Sequence, residues 1–285
     1  MNLPKHLVFS GGGLNGVQML KAINLIEKKV NGTLFKKLPL QQVSGVSIGS
    51  MIALAVILDY SSDEYIDEVI PKYDNFLNLF PDMKVSNMLS NYGLTSNESI
   101  IDIVDTCVSI KHNEYKDKSI SFKELFDITK VQFNVYVTNL STNESEIWNH
   151  ITKPDIPISF AIQISTCIPF LFSPILYDKM YYIDGSTSNR FPVNLVTSYD
   201  DMLGFQIVKN KDKYDVSSFK DYISLVFSSL LIEQNKEITM KNTLFIKQTQ
   251  DVWDMNIGYN TLLQTYQNTH INLNQLLFFQ VKEIK

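Results

Sequence analysis

The sequence predicts an α/β fold in which a mostly parallel central sheet is covered by helices. Three observations carry that expectation. Two glycine-rich turns, Gly11-Gly12-Gly13-Leu14-Asn15-Gly16 and Gly45-Val46-Ser47-Ile48-Gly49, each follow a short apolar stretch and open a helical one. Strand-like and helix-like patterns alternate through the first 60 residues. Further strand patterns recur near residues 131–138, 175–183 and 203–208.

Taken in order, His6-Leu7-Val8-Phe9 is a short apolar strand that runs into the first glycine turn. Val17, Leu20, Ile23, Ile26 and Val30 then form one stripe, the mark of an amphipathic helix lying on a sheet. Asn31-Gly32 ends it. A second strand near Leu40 to Val43 leads to the serine turn, and the helix from Ile48 to Leu58 is apolar on nearly every side, which places it in the interior. Residues 61–130 are more polar and read as helical, with capping-box patterns at Ser61/Glu64, Thr95/Glu98 and Ser121/Glu124. The irregular apolar stretch from Phe76 to Met88 suits a cap or simple packing on the core. A strand over Val131 to Thr138, a partner near Ile147-Trp148, and a helix from Ile158 to Cys167 follow. Short strands at Ile175-Leu176 and Tyr181-Tyr182-Ile183 end in Asp184-Gly185. Leu203 to Val208, Tyr222 to Leu231, Leu244 to Ile246 and the segment from Asp251 read as strand, helix, strand and helix.

The chain of 285 residues is expected to form a single domain, with a motif-bearing core over 5–200, a helical insertion at 61–130 and a divergent segment at 201–285. With 45% hydrophobic and 19% charged residues the composition is that of an ordinary globular protein, and a net charge of −5 argues against nucleic acid as the main partner. Cys107 and Cys167 cannot make a disulfide framework, which favours an intracellular setting. No signal-peptide pattern opens the chain, and the longest apolar run, Met51 to Leu58, is too short to span a bilayer, so any membrane contact is expected to be peripheral. No Cys/His cluster has metal-ligand spacing, and neither a metal nor a cofactor is expected.

Gly45-Val46-Ser47-Ile48-Gly49 has the Gly-x-Ser-x-Gly spacing of a nucleophile elbow, in which serine sits on a cramped strand-to-helix turn. Serine needs a base. The four histidines, His6, His112, His150 and His270, occupy settings better suited to structural or surface roles. Asp184 ends an apolar strand and Gly185 lets the chain turn away at once. Burial beside a hydroxyl would raise its pKa and improve it as a base.

The ordered set of Gly11 to Gly16, Gly45 to Gly49, Ser165-Thr166-Cys167-Ile168-Pro169-Phe170 through Ser173-Pro174, Asp184-Gly185 and Phe191-Pro192-Val193 resembles the patatin-like phospholipases, Ser-Asp lipid acyl hydrolases. The resemblance covers residues 5–200 and implies a three-layer fold with helices on both faces of the sheet. It implies Ser47 as nucleophile, Asp184 as its base, main-chain amides around Gly11, Gly12 and Gly13 as an oxyanion hole, and Gly16, Gly45, Gly49 and Gly185 as turn residues. It also implies a phospholipid or other lipid ester as substrate and an acyl-enzyme intermediate. Phe170, Leu171, Phe172 and the Phe76 to Met88 stretch are candidates to line an acyl channel. The chain departs from the family's pattern at Asn15, where a basic residue is usual, and at Ser186, where glycine or alanine is usual.

Three other readings compete. The first turn also matches the dinucleotide fingerprint, but from Lys28 to Leu58 there is no Asp or Glu to hold a ribose. A Ser-Asp-His hydrolase would draw on His270, yet Ser47 follows only two expected strands. An inactive lipid- or protein-binding scaffold of the same fold is favoured by Asn15 and opposed by the presence of both Ser47 and Asp184.

Overall fold

The computed structural model describes residues 3–73, 83–193, 199–208, 216–217, 222, 225–226, 242–249, 258–273 and 276. It opens with β1 (His6–Phe9), a 3-10 turn (Gly13–Asn15), α1 (Gly16–Val30), α2 (Leu34–Lys37), β2 (Gln42–Val46) and α3 (Ile48–Ile57). A mainly helical stretch follows, with α4 (Ser62–Glu64), a π-helical turn (Tyr65–Val69), α5 (Asn87–Asn91), β3 (Gly93–Thr95), α6 (Ser99–Lys111) and α7 (Phe122–Thr129). The chain then lays down β4 (Gln132–Asn139), β5 (Glu144–Trp148), α8 (Ile158–Ser165), β6 (Phe170–Phe172), β7 (Ile175–Tyr177), β8 (Met180–Asp184), β9 (Met202–Val208) and β10 (Thr243–Lys247), and the helix Tyr259–Asn268 comes last.

Strands β10, β9, β1, β2 and β4 pair in parallel in that order. β5 and β8 run antiparallel to β4, and β7 antiparallel to β8. The mixed α/β class read from the sequence holds. Side chains alternate across β1 as strand geometry demands: Leu7 and Phe9 enter the main core, while Val8 joins Phe191, Val193 and Met202 in a second cluster. Phe9 stacks on Phe205 with ring centroids 4.7 Å apart. A strand buried on both faces cannot show polar alternation, which is why β1 reads as an unbroken apolar run.

α1 buries the stripe from Val17 to Val30 and stops where Asn31 takes the left-handed conformation, φ 54°. α3 is buried from Gly49 to Ile57 save for half-buried Met51, in keeping with its apolar sequence. The capping boxes at Ser61/Glu64 and Ser121/Glu124 form. The one expected at Thr95/Glu98 does not. Thr95 is paired with Phe172 between β3 and β6, its carbonyl accepts from the Ser173 N–H at 2.9 Å, and α6 starts later, at Ser99. The second strand also begins and ends later than its apolar residues suggest, because it continues through Ser44-Gly45-Val46 into the serine turn. The stretch Phe76 to Pro81 and most of the helix expected over 222–231 lie outside the described residues.

Register brings the motifs to one edge. Phe9 is level with Gly45 on β2, Val46 with Tyr136 on β4, and Val137 with Asp184 on β8. The turns after β1 and β2 and the end of β8 therefore meet at the carboxyl edge of the parallel strands. β8 runs against that direction, so Asp184 arrives by antiparallel pairing and not as the end of a parallel strand.

The serine turn is pressed against the first strand. A Cβ on Gly49 would lie 2.5 Å from the Ser10 carbonyl oxygen and 2.6 Å from that of Phe9, contacts no side chain can make. Gly49→Ala should therefore cost about 1–3 kcal/mol by overpacking. That corresponds to a drop in melting temperature of roughly 3–10 °C by calorimetry, and an unchanged melting temperature would contradict this close approach.

Candidate active site

Ser47 occupies a backbone conformation that L-residues seldom adopt, φ 53° and ψ −132°, between the end of β2 and the first turn of α3. Such strain persists only where the surroundings over-determine it. Here they do. The Ser47 N–H donates to Ser165 Oγ at 2.9 Å, and that hydroxyl donates to the Tyr136 carbonyl at 2.6 Å. The Ser47 carbonyl accepts from both the main-chain N–H of Ser50 and its hydroxyl, at 2.8 and 2.6 Å. The side chain is left free of these bonds, at the amino end of a buried helix whose dipole favours negative charge there.

Ser47 Oγ donates to Asp184 Oδ2 at 2.7 Å across 137 residues of sequence. The other carboxyl oxygen, Oδ1, accepts from the Ser186 N–H at 2.7 Å. The Asp184 main chain is tied on both sides: its N–H donates to the Cys167 carbonyl at 2.8 Å, and its carbonyl accepts from Thr138 Oγ1 at 2.9 Å. Ser47 is 5% exposed and Asp184 3%. Burial pushes the Asp184 carboxyl up to about 6, against the opposing pull of the Ser47 hydroxyl, the Ser186 N–H and the nearby Arg190 guanidinium. A carboxylate with that pKa is ionised at neutral pH and still basic enough to receive a proton.

The first glycine turn passes the same point. A side chain on Gly11 would collide with Ser186 Oγ and lie 3.5 Å from Ser47 Cβ. The Gly11 N–H donates to the Arg190 carbonyl at 3.0 Å, and its own carbonyl accepts from Ser10 Oγ at 3.1 Å and, at the long distance of 3.5 Å, from Arg190 Nε. Ser10 Oγ in turn accepts from the Ile207 N–H at 2.8 Å. Gly13 has φ 55°, in the left-handed region that glycine tolerates. Among the described residues, nothing accepts a hydrogen bond from the N–H of Gly12 or Gly13. Two uncommitted amide donors thus lie on the loop that flanks the serine, a natural receptor for negative charge.

Gly16 lies against Ile48, Gly45 against Gly49 and Ser50, and Gly185 against the Tyr136 carbonyl, so each turn glycine marks a close approach between site elements. Leu171 and Phe172 are buried in the core, while Phe170 is largely exposed with φ 68°. Among the described residues no histidine hydrogen-bonds to Ser47 or Asp184. His6 begins β1, His112 pairs with Glu114, His150 stacks on Phe126, and His270 lines a cavity with Gln18 and Lys247. No group of three or more His, Cys, Asp or Glu side chains among the described residues is arranged to hold a metal ion, and no helix among them is long and apolar enough to cross a membrane. Ser10 and Thr138, which help hold the site together, carry no motif, and Ser165 was read only as part of a small-residue segment, not as the anchor of the serine turn. The available signal was a small polar residue placed beside an apolar strand or helix and next to a motif.

Comparison with known proteins places the chain in a family. The sequence profile of the patatin-like phospholipases matches residues 7–197, and the chain belongs to that family. It is 32% identical over 212 residues to a probable lipid hydrolase, 463L, of Invertebrate iridescent virus 6, covering 74% of this chain and 67% of that protein. It is 24% identical over 277 residues to the uncharacterized protein R571 of Acanthamoeba polyphaga mimivirus, covering 92% and 89%. Among solved structures it is similar in fold to VipD of Legionella pneumophila, with a TM-score of 0.52 and 16% identity over 93% of this chain and 67% of that one. Family and relative together support lipid hydrolase activity.

The buried carboxyl has a consequence for stability. Its folded-state value, about 6, lies above the ordinary 3.8, so the native state binds the extra proton and is favoured at low pH; that advantage is lost as pH rises through this window. At pH 7 the ionised group then costs on the order of 3 kcal/mol. Asp184→Asn, nearly isosteric, should melt several degrees above the wild type at pH 7, with the gap closing towards pH 4. A variant that melts lower at pH 7 would show that the ionised carboxylate stabilises the fold.

Proposed function

We propose that this protein is a lipid acyl hydrolase of phospholipase A type that cleaves carboxylic esters through Ser47 and Asp184. The observation that carries the reading is the 2.7 Å hydrogen bond between Ser47 Oγ and Asp184 Oδ2, on a strained turn beside two amides that have no acceptor among the described residues. Asp184 takes the Ser47 proton as Oγ attacks the ester carbonyl. The carbonyl oxygen becomes an oxyanion, which the N–H groups of Gly12 and Gly13 receive. Such a donor is worth about 3 kcal/mol in the transition state. Collapse breaks the ester C–O bond, and the proton held by Asp184 passes to the leaving alkoxide, releasing a lysolipid or alcohol. Water then gives a proton to Asp184 and adds to the acyl-enzyme. When that bond breaks, the fatty acid leaves and the proton returns to Ser47. Two groups suffice because one carboxyl acts as base and then as acid in each half-reaction. The substrate is reached at a membrane surface as a peripheral encounter.

Ser47→Ala and Asp184→Asn should each lower hydrolysis of a phospholipid or p-nitrophenyl ester by on the order of 10³-fold or more. A fluorophosphonate should label the wild type at Ser47, as found by peptide mapping, and leave Ser47→Ala unmodified. Normal turnover by folded Ser47→Ala would refute the assignment. Because Asp184 must be ionised to act as base, kcat/KM should rise with pH as a single ionisation centred near 6 and level off above 7. A profile whose lower limb sits near 4 would place the base elsewhere.

A further inference from the structure

Asn15 reads from the sequence as the loss of a family cation, but the structure gives it a definite employment. It is 0% exposed, packed behind the glycine turn. Its Nδ2 donates to the Gly12 carbonyl at 2.9 Å, and its main-chain N–H donates to the same oxygen at 3.2 Å. Its Oδ1 accepts from the Thr249 N–H at 3.0 Å, just beyond the end of β10. The carboxamide therefore bridges the turn to a segment 234 residues away.

The geometry of a peptide unit makes this bridge consequential. The chain has no cis peptide bond among the described residues. In a trans peptide the carbonyl of one residue and the N–H of the next point in opposite directions. Holding the Gly12 carbonyl on the Asn15 side therefore turns the Gly13 N–H to the opposite side, and that N–H has no acceptor among the described residues. The neighbouring unit is treated the same way: Ser10 Oγ holds the Gly11 carbonyl, and the Gly12 N–H has no acceptor among the described residues. Glycines cannot hold such an orientation unaided, since they have the widest choice of backbone angles. A donor prepared in advance costs no reorganisation as charge develops.

We propose that Asn15 is a positioning residue for the oxyanion site: its buried carboxamide fixes the Gly12–Gly13 peptide so that the Gly13 N–H is presented to the substrate oxygen, and it is itself held by Thr249 at the exit of β10. This rests on the Ser47 reading above. A neutral amide suits the task better than a cation here. It donates to one carbonyl and accepts from one amide, whereas a lysine or arginine could only donate.

The test compares a p-nitrophenyl ester with its thionoester, in which sulfur replaces the carbonyl oxygen and takes weaker hydrogen bonds. The wild type should prefer the oxygen ester strongly in kcat/KM. In Asn15→Ala kcat for the oxygen ester should fall about 10- to 100-fold with KM within about two-fold, as loss of a transition-state interaction requires. The preference over the thionoester should shrink by a similar factor. Asn15→Leu, close in volume, brings no charge into the interior and removes the donor to Gly12, so it should show the same loss. An unchanged ester preference in either folded variant overturns the proposal, and failure of both to fold makes Asn15 purely structural and also overturns it. If the wild type itself shows no Ser47-dependent hydrolysis, the functional reading fails first, before any Asn15 variant is measured.

Discussion

A single hydrogen bond, between a serine hydroxyl and a buried carboxyl, sets the terms for the rest of this structure. An isolated carboxylate is expensive to bury, and it stays buried only when its oxygens are satisfied. Ser47 satisfies one oxygen of Asp184 and the Ser186 N–H the other, while Thr138 and Cys167 hold its main chain. That arrangement requires β2 and β8 to address β4 at adjacent positions, Tyr136 and Val137. A slip of one residue in either strand would turn one partner to the opposite face of the sheet. The pairing is thus inseparable from the register of three strands.

Around the pair, the polar side chains are divided between two tasks. Ser165 and Ser50 anchor the main chain of the serine turn. Ser10 and Asn15 anchor the glycine turn, each by spanning from a turn carbonyl to a main-chain N–H of a later strand or its exit, Ile207 and Thr249. All four are buried. Small hydroxyl and amide groups suit this work because each both donates and accepts, and can bridge two main-chain groups without leaving a charge in the interior.

How far the sequence could be read depended on whether a residue's identity is dictated locally. The turn glycines were legible because close backbone contacts permit no side chain, as at Gly49, and the α1 and α3 helices because their burial imposes a periodicity or an apolar run. The false capping box at Thr95 shows the limit: the pattern was present, but pairing between β3 and β6 claimed the residue first. Asn15 was legible as a departure and not as a bridge, since its distant partner is the main-chain N–H of Thr249, and main-chain groups leave no trace in the choice of residue. For the same reason residues 201–285 read as divergent, although Ile207 and Thr249 brace the glycine turn from outside the part of the chain that the family profile matches. The direction of β8 was equally hidden, because an apolar strand ending in Asp-Gly reads alike in either orientation.

The bracing of the glycine turn also bears on when the site can come into being. Proteins are made from the amino terminus onward, and contacts distant in sequence cannot form until both parts exist. The serine turn emerges early, Asp184 follows 137 residues later, and Thr249 lies further on still. A nascent chain would thus carry the serine turn for 118 residues of synthesis without Ser165 to hold its strained backbone, and for longer still without the carboxyl beside it or the brace on the loop opposite. Chains interrupted before residue 249 would lack the brace on the loop opposite, so the arrangement around Ser47 is complete only once that residue has been made.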